Sequence, residues 1–173
     1  MKRFLILLTI TILIIFLVLN KEDYYIIPKE AIRFRIIANS NSTKDQFIKI
    51  KVKQKLQDKF KDDFKDVSNI NDSRTIINNN IDNYSNIVGD TLKEYNYDKD
   101  FSINYGMNYF PEKVYKGVKY EEGEYESLVV KLGKAEGENW WCVLFPPICE
   151  YEETDKDKIE YKFFIKEIIN KYF

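Results

Sequence analysis

The chain opens on an unbroken apolar run, and only beyond it do hydrophobic and polar positions begin to alternate. After Met1-Lys2-Arg3, the sixteen residues Phe4 to Leu19 carry no charge and only Thr9 and Thr11 as polar members. Basic residues followed by an apolar stretch is the layout of an export signal. A helix of that length spans about 24 Å against a hydrocarbon core of about 30 Å, which lies between a cleaved signal and a short anchor. Leu17-Val18-Leu19-Asn20-Lys21 lacks the small residues of a cleavage site. The basic flank keeps Lys2 and Arg3 in the cytoplasm and sends the rest outside. A buried core helix is disfavoured, because the run has no amphipathic period. Residues 1–20 therefore read as a signal peptide or membrane anchor, 21–30 as a polar tether, and 31–173 as a single extracytoplasmic domain.

Within that domain the period changes several times. Ala31 to Ala38 sets Ile32, Phe34 and Ile36 against Arg33 and Arg35, a half-buried strand with the arginines outward. Asn39-Ser40-Asn41-Ser42 breaks it, and Ser42 with Asp45 three residues on has capping-box spacing. Ile48, Val52, Leu56, Phe60 and Phe64 recur every four residues, one face of a helix. A period-two pattern competes over Lys49–Leu56, but the five-term series favours helix. Asp72 and Ser73 can cap a second helix carrying Ile77, Ile81, Tyr84, Val88 and Leu92. Phe101, Ile103, Tyr105, Met107 and Tyr109 alternate as a strand. Glu124–Leu132 and Trp140–Phe145 read as further strands, joined by a hairpin turn over Gly133–Gly137. Glu150 to Asp157 reads as a charged loop, and Lys158–Ile165 as a last strand running into a C-terminal helix. The order implies an α+β fold: a largely antiparallel sheet with two helices after the first strand and a C-terminal helix, preceded by the apolar N-terminal helix.

Composition removes whole classes of chemistry. Among 173 residues there is no histidine, so no Ser-His-Asp triad, Cys-His pair or histidine metal site can form. With 27 basic and 28 acidic residues, the chain lacks the basic excess of a nucleic-acid binder. Two cysteines without histidine do not supply the four ligands of a zinc site. Catalytic residues, cofactors and metals are accordingly expected to be none. Glu122, Glu124 and Glu126 share one side of a strand, and paired carboxylates hydrolyse glycosides; such rows are more often a solvated sheet face. The basic run Lys49, Lys51, Lys53 and Lys55 shares its expected helix with Asp45, Asp58, Asp62, Asp63 and Asp66, and reads as solvated surface.

What stands out is Asn139-Trp140-Trp141-Cys142-Val143-Leu144-Phe145-Pro146-Pro147-Ile148-Cys149, which holds both tryptophans of the chain. Neighbouring strand residues face opposite sides, so one tryptophan joins the core while the other faces outward as an interface anchor. The competing arrangement packs both beneath helices. Cys142 and Cys149 read either as a disulfide folded back by Pro146-Pro147 or as two buried reduced thiols.

This block resembles the N-W-W-C-V-L-F-P-P-L-C signature of the stage II sporulation protein R family. The resemblance extends to Gly123-Glu124-Tyr125-Glu126-Ser127-Leu128, to Ala31–Ser40 followed by Asp45-Gln46, and to Lys162-Phe163-Phe164. Asn41, Glu121, Ala135 and Glu150 depart from the family pattern, Ala135 standing where a glycine is expected. The resemblance implies a signal and not an enzyme. Members are exported from the forespore into the space next to the mother cell. There they activate a membrane-embedded aspartic protease that processes pro-sigma-E. On that reading the partner is the protease's extracytoplasmic face, contacted by Trp140, Trp141, Phe145, Pro146 and Pro147; the N-terminal segment meets the membrane, and no nucleic acid or small-molecule substrate is involved. The rival is an extracytoplasmic glycan-binding or glycan-hydrolysing domain using tryptophan stacking and the glutamate row.

Overall fold

The computed structural model describes residues 2–19, 24–115, 117–149 and 158–173. In chain order the elements are α1 (Lys2–Leu19), β1 (Tyr25–Ile26), β2 (Ile32–Ile37), α2 (Thr43–Phe64), α3 (Ile70–Glu94), β3 (Phe101–Phe110), β4 (Lys113–Tyr115), β5 (Val118–Tyr120), β6 (Gly123–Leu132), β7 (Asn139–Phe145) and α4 (Lys158–Tyr172). The α+β class holds, with a four-stranded sheet ordered β3-β6-β2-β7 and a small sheet ordered β1-β5-β4. Antiparallel pairs predominate, yet β2 runs parallel to β6 and β1 parallel to β5.

Two apolar layers sandwich the large sheet. On one face Ile32, Phe34, Ile36, Leu128, Val130, Leu132, Cys142 and Leu144 meet the α2 stripe Ile48, Val52, Leu56, Phe60 and Phe64, with Ile77, Tyr84, Val88 and Leu92 of α3. That stripe is buried throughout, so the four-residue period decided correctly against the competing strand pattern. Ser42 caps α2 as expected, its side chain accepting from the Asp45 N–H. The cap of α3 lies earlier than the sequence suggested: Asn69 accepts from Asn71 and Asp72 N–H groups, while Asp72 accepts from Ser68. On the opposite face Val129, Tyr125, Trp141 and Val143 pack against Ile27, Val118 and Tyr120 of the small sheet and Tyr161, Ile165 and Ile169 of α4.

The second layer accounts for several corrections. Residues 158–165 are helical, not a last strand, because Tyr161, Ile165 and Ile169 recur every four residues and bury along one face. The stretch read as tether over 21–30 contributes β1 and the buried Ile27, so the folded unit reaches back to at least Tyr24. Arg33 and Arg35, expected outward, lie beneath this layer. Met107 and Tyr109, the last members of the alternating series, are exposed at the end of edge strand β3. Among the described residues no helix is long and apolar enough to cross a membrane; Phe4, Ile6, Leu7, Ile10, Ile12 and Leu13 of α1 are exposed. The charged stretch 150–157 lies outside the described residues.

Candidate functional site

Among the described residues β7 is the outermost strand of the large sheet and pairs only with β2, in the register Arg35↔Trp141 and Ile36↔Trp140. Alternation therefore sends the two tryptophans to opposite faces at an open edge. Trp140 is half-buried and meets Phe34 edge-on at 5.7 Å, on the side of α2. Trp141 is buried at 8% exposure and meets Phe110 at 5.2 Å and Tyr120 at 6.2 Å on the other side. The expected outward anchor is thus corrected: neither ring stands free, because each face of the sheet is covered.

The remaining members of the block divide between surface and core. Phe145 and Pro146 are buried, Phe145 against Tyr172 and Phe173, whereas Pro147 is partly exposed. Cys142 and Cys149 are joined in a disulfide with Cα atoms 5.6 Å apart. Ile148 and Cys149 N–H groups both donate to the Val143 carbonyl at 3.2 Å, tying the Pro-Pro return to β7. Gln57 donates to the Cys149 carbonyl at 2.9 Å, fastening the return to α2. The disulfide, Pro146 and Phe145 support the edge from behind, Trp141 is buried within it, and Trp140 and Pro147 are what the edge leaves partly exposed.

Each tryptophan carries a lysine. Lys53 of α2 sits 4.9 Å from the Trp140 ring, and Lys113 of β4 sits 5.1 Å from the Trp141 ring. With Tyr115 and Tyr120 these four side chains line a cavity of about 180 Å³ that wraps the edge of β7. A second hollow of about 270 Å³, lined by Glu112, Lys113, Glu138, Asn139 and Trp141, continues along the edge. Lys49 approaches the same end, donating to Gln46 at 2.6 Å and to the Glu138 carbonyl at 3.0 Å. Burial lowers the Lys49 pKa, with Glu138 opposing that shift and Lys113 adding to it. The basic run read as solvated surface therefore aims two of its members, Lys49 and Lys53, at this edge. A signal was present in the sequence: both lie one position after a buried stripe residue, Ile48 or Val52.

The loop entering β7 is set by side chains that sequence reasoning did not single out. Residues 133–138 are not a hairpin turn, because β2 lies between β6 and β7 and the loop crosses over its end. Asn39 Oδ1 accepts from Lys134 N–H at 3.0 Å, and Asn41 Oδ1 from Glu138 N–H at 2.7 Å. Ala135, in place of a glycine, takes a left-handed φ of 56°. A Cβ at Gly137 would fall 2.4 Å from the Ser40 carbonyl oxygen. The Asp45 carboxylate pins the other side, accepting from Asn39 at 2.8 Å, Ser40 at 2.5 Å and Tyr97 at 2.7 Å. These hydrogen bonds, Ser40 foremost, hold its pKa well below the usual carboxylate range.

Glu122, Glu124 and Glu126 do not form a catalytic pair in this geometry. Arg74 grips Glu126 through Nε and Nη2, the latter at 2.7 Å, and Tyr105 donates to it as well. The Arg74 hydrogen bond lowers the Glu126 pKa, opposite to the raised value a glycosidase general acid needs. Glu122 and Glu124 are exposed.

The family model described as Stage II sporulation protein R matches residues 28–155. A curated protein, Stage II sporulation protein R of Bacillus subtilis (strain 168), is 36% identical over 141 residues, covering 82% of this chain and 63% of its own length. The chain thus spans less than two thirds of that relative's length. No solved structure matches it.

Proposed function

The chain belongs to the stage II sporulation protein R family, and from that premise we propose that it is an exported sporulation signal that activates a membrane-embedded aspartic protease processing pro-sigma-E. The observation that carries the proposal is the position of the family block. Residues 139–149 form an edge strand and a disulfide-closed return on which Trp140 is half-buried and Pro147 partly exposed, both within a partner's reach, with Trp141 buried behind them. Large aromatic side chains around a rigid support are what interface hot spots favour. The apolar run 4–19 supports export, with the domain on the far side of the membrane.

Activation by binding requires differential affinity. A preference of about 2–3 kcal/mol for the active state of the protease raises the active-to-inactive ratio by about 30–150-fold. Nothing in this requires a catalytic group on the activator. The glycan reading is weaker, since its best carboxylate is already held ionised by Arg74.

The test is reconstitution in a non-sporulating host. The full chain is expressed with its own export segment, beside the organism's candidate protease and pro-sigma substrate, and the sigma factor is followed by immunoblot. Processing that appears only with the chain supports the proposal. Processing unchanged by the chain, while it is exported and folded, overturns it.

A further inference from the structure

The cavity at the edge of β7 is unusual in what its polar atoms lack. Lys53 and Lys113 line it and lie over indole rings. Among the described residues neither takes part in an ion pair, and what sets them apart from the other unpaired lysines is that both converge on one cavity. No carboxylate among the described residues lines the cavity itself. Trp141 Nε1 is buried with no hydrogen-bond acceptor, the type of group that native structures leave unsatisfied only for a reason. That N–H lies beneath the cavity wall, so the two half-buried lysines are the donors that face the hollow, and a carboxylate supplies two acceptor oxygens and the opposite charge.

We infer that this cavity is a recognition site for an acidic side chain, aspartate or glutamate, carried on an extended peptide segment of a partner protein that lies along the outer edge of β7. Three features favour a peptide over a small anion. The cavity, at about 180 Å³, far exceeds the roughly 10–15 Å³ that one water occupies. The adjoining hollow shares Lys113 and Trp141 but is rimmed by Glu138 and by Glu112, which is paired with Lys119, so it prolongs the site for neutral or basic residues of the segment and confines the acidic one to the first cavity. Among the described residues β7 is paired with a strand on one side only, and before the return fastens to Val143 residues 139–141 leave an edge for an added strand, the arrangement in which main-chain hydrogen bonds give affinity and side-chain pockets give specificity. The inference rests on the activator reading in taking the occupant to be a partner protein, and it names the chemistry that partner must present.

Trp140 and Trp141 are the only tryptophans, so intrinsic fluorescence reads the site directly. Full chain in detergent micelles is titrated with the capped peptide acetyl-Thr-Val-Glu-Val-Thr-amide, its glutamine analogue, and sodium acetate. The expected result is a saturable spectral change with the glutamate peptide, at least fivefold weaker with the glutamine peptide and weakened by added salt. Lys53→Gln with Lys113→Gln should weaken binding about tenfold, while Lys53→Arg with Lys113→Arg should retain it and show that the fold tolerates change there. Equal binding of both peptides overturns the carboxylate, and an equal response to acetate alone overturns the peptide. A response untouched by the double glutamine variant places it elsewhere and overturns the site. Because the assay contains no protease, loss of peptide binding with processing intact sinks this inference alone, while peptide binding without processing sinks the activator reading alone.

Discussion

Replacing Asp45 by asparagine tests how the edge of β7 is held in place. The carboxylate accepts hydrogen bonds from Asn39, Ser40 and Tyr97, and Asn39 and Asn41 in turn hold the loop leading into Asn139 and Trp140. Asparagine preserves the volume and the backbone N–H that Ser42 caps, removes the charge and one acceptor oxygen, and turns an NH2 toward groups that themselves donate. Charge-assisted hydrogen bonds are worth about 1.5–3 kcal/mol, roughly twice a neutral one. Halving three of them costs about 2–4.5 kcal/mol, or a fall of about 5–15 °C in Tm for a domain of this size. The pH dependence carries the sharper test. The folded-state pKa of Asp45 is depressed, so its contribution is fully present above the unfolded value of about 3.9 and fades as pH falls through the lower folded value. The gap between wild type and Asp45→Asn should therefore be constant near neutrality and close as pH falls below about 4. Circular dichroism melts at a series of pH values measure it. Asp58→Asn, on the exposed face of the same helix at 76% side-chain exposure, serves as control with no expected change. A gap below about 0.5 kcal/mol, or one that persists undiminished at pH 2, would refute the reasoning.

Other perturbations probe the neighbouring parts. Gly137→Ala should cost about 2 kcal/mol or more by urea titration, since its Cβ falls 2.4 Å from the Ser40 carbonyl. Gly89→Ala, where the Cβ meets only the Phe101 ring at 3.5 Å, should be neutral or stabilising by up to about 1 kcal/mol. Arg33 is 1% exposed, with its guanidinium 3.3 Å from the Tyr125 ring and its Nε and Nη2 unpartnered. Arg33→Met should hence be neutral or stabilising, whereas Arg33→Ala leaves a cavity and should lower stability by about 3 kcal/mol in the same titration. Cys142→Ser with Cys149→Ser should lower unfolding free energy by about 2.5 kcal/mol from the chain entropy of so short a loop, and make the urea midpoint insensitive to reductant.

How far the fold can be read from the sequence follows the range of each interaction. α2 was legible because its buried stripe is local, five residues at helical spacing. β6 and β7 were legible as strands from their β-branched and aromatic content. Their pairing was not, since inserting β2 between them is a non-local choice that no periodicity encodes. Arg33 and Arg35 were misread for the same reason: the layer over them comes from residues 24–27, 110–125 and α4, remote in sequence. A buried arginine without a carboxylate is also contrary to residue-type statistics. The block 139–149 could be singled out by its tryptophans, cysteines and prolines, but which of its members face a partner depended on that covering layer. Lys53 and Lys113, sixty positions apart, meet only because β4 folds beside the edge that α2 overhangs.

The central claim is that the edge of β7 delivers the signal, and processing by variants of that edge tests it most directly. In the reconstituted host, wild type is compared with Lys53→Gln/Lys113→Gln and with Trp140→Phe, at matched exported levels and with folding checked by circular dichroism. The account predicts loss of sigma-factor processing in the lysine variant, its recovery in Lys53→Arg/Lys113→Arg, and a partial loss with Trp140→Phe. Processing at the wild-type level in the folded, exported lysine variant would contradict it.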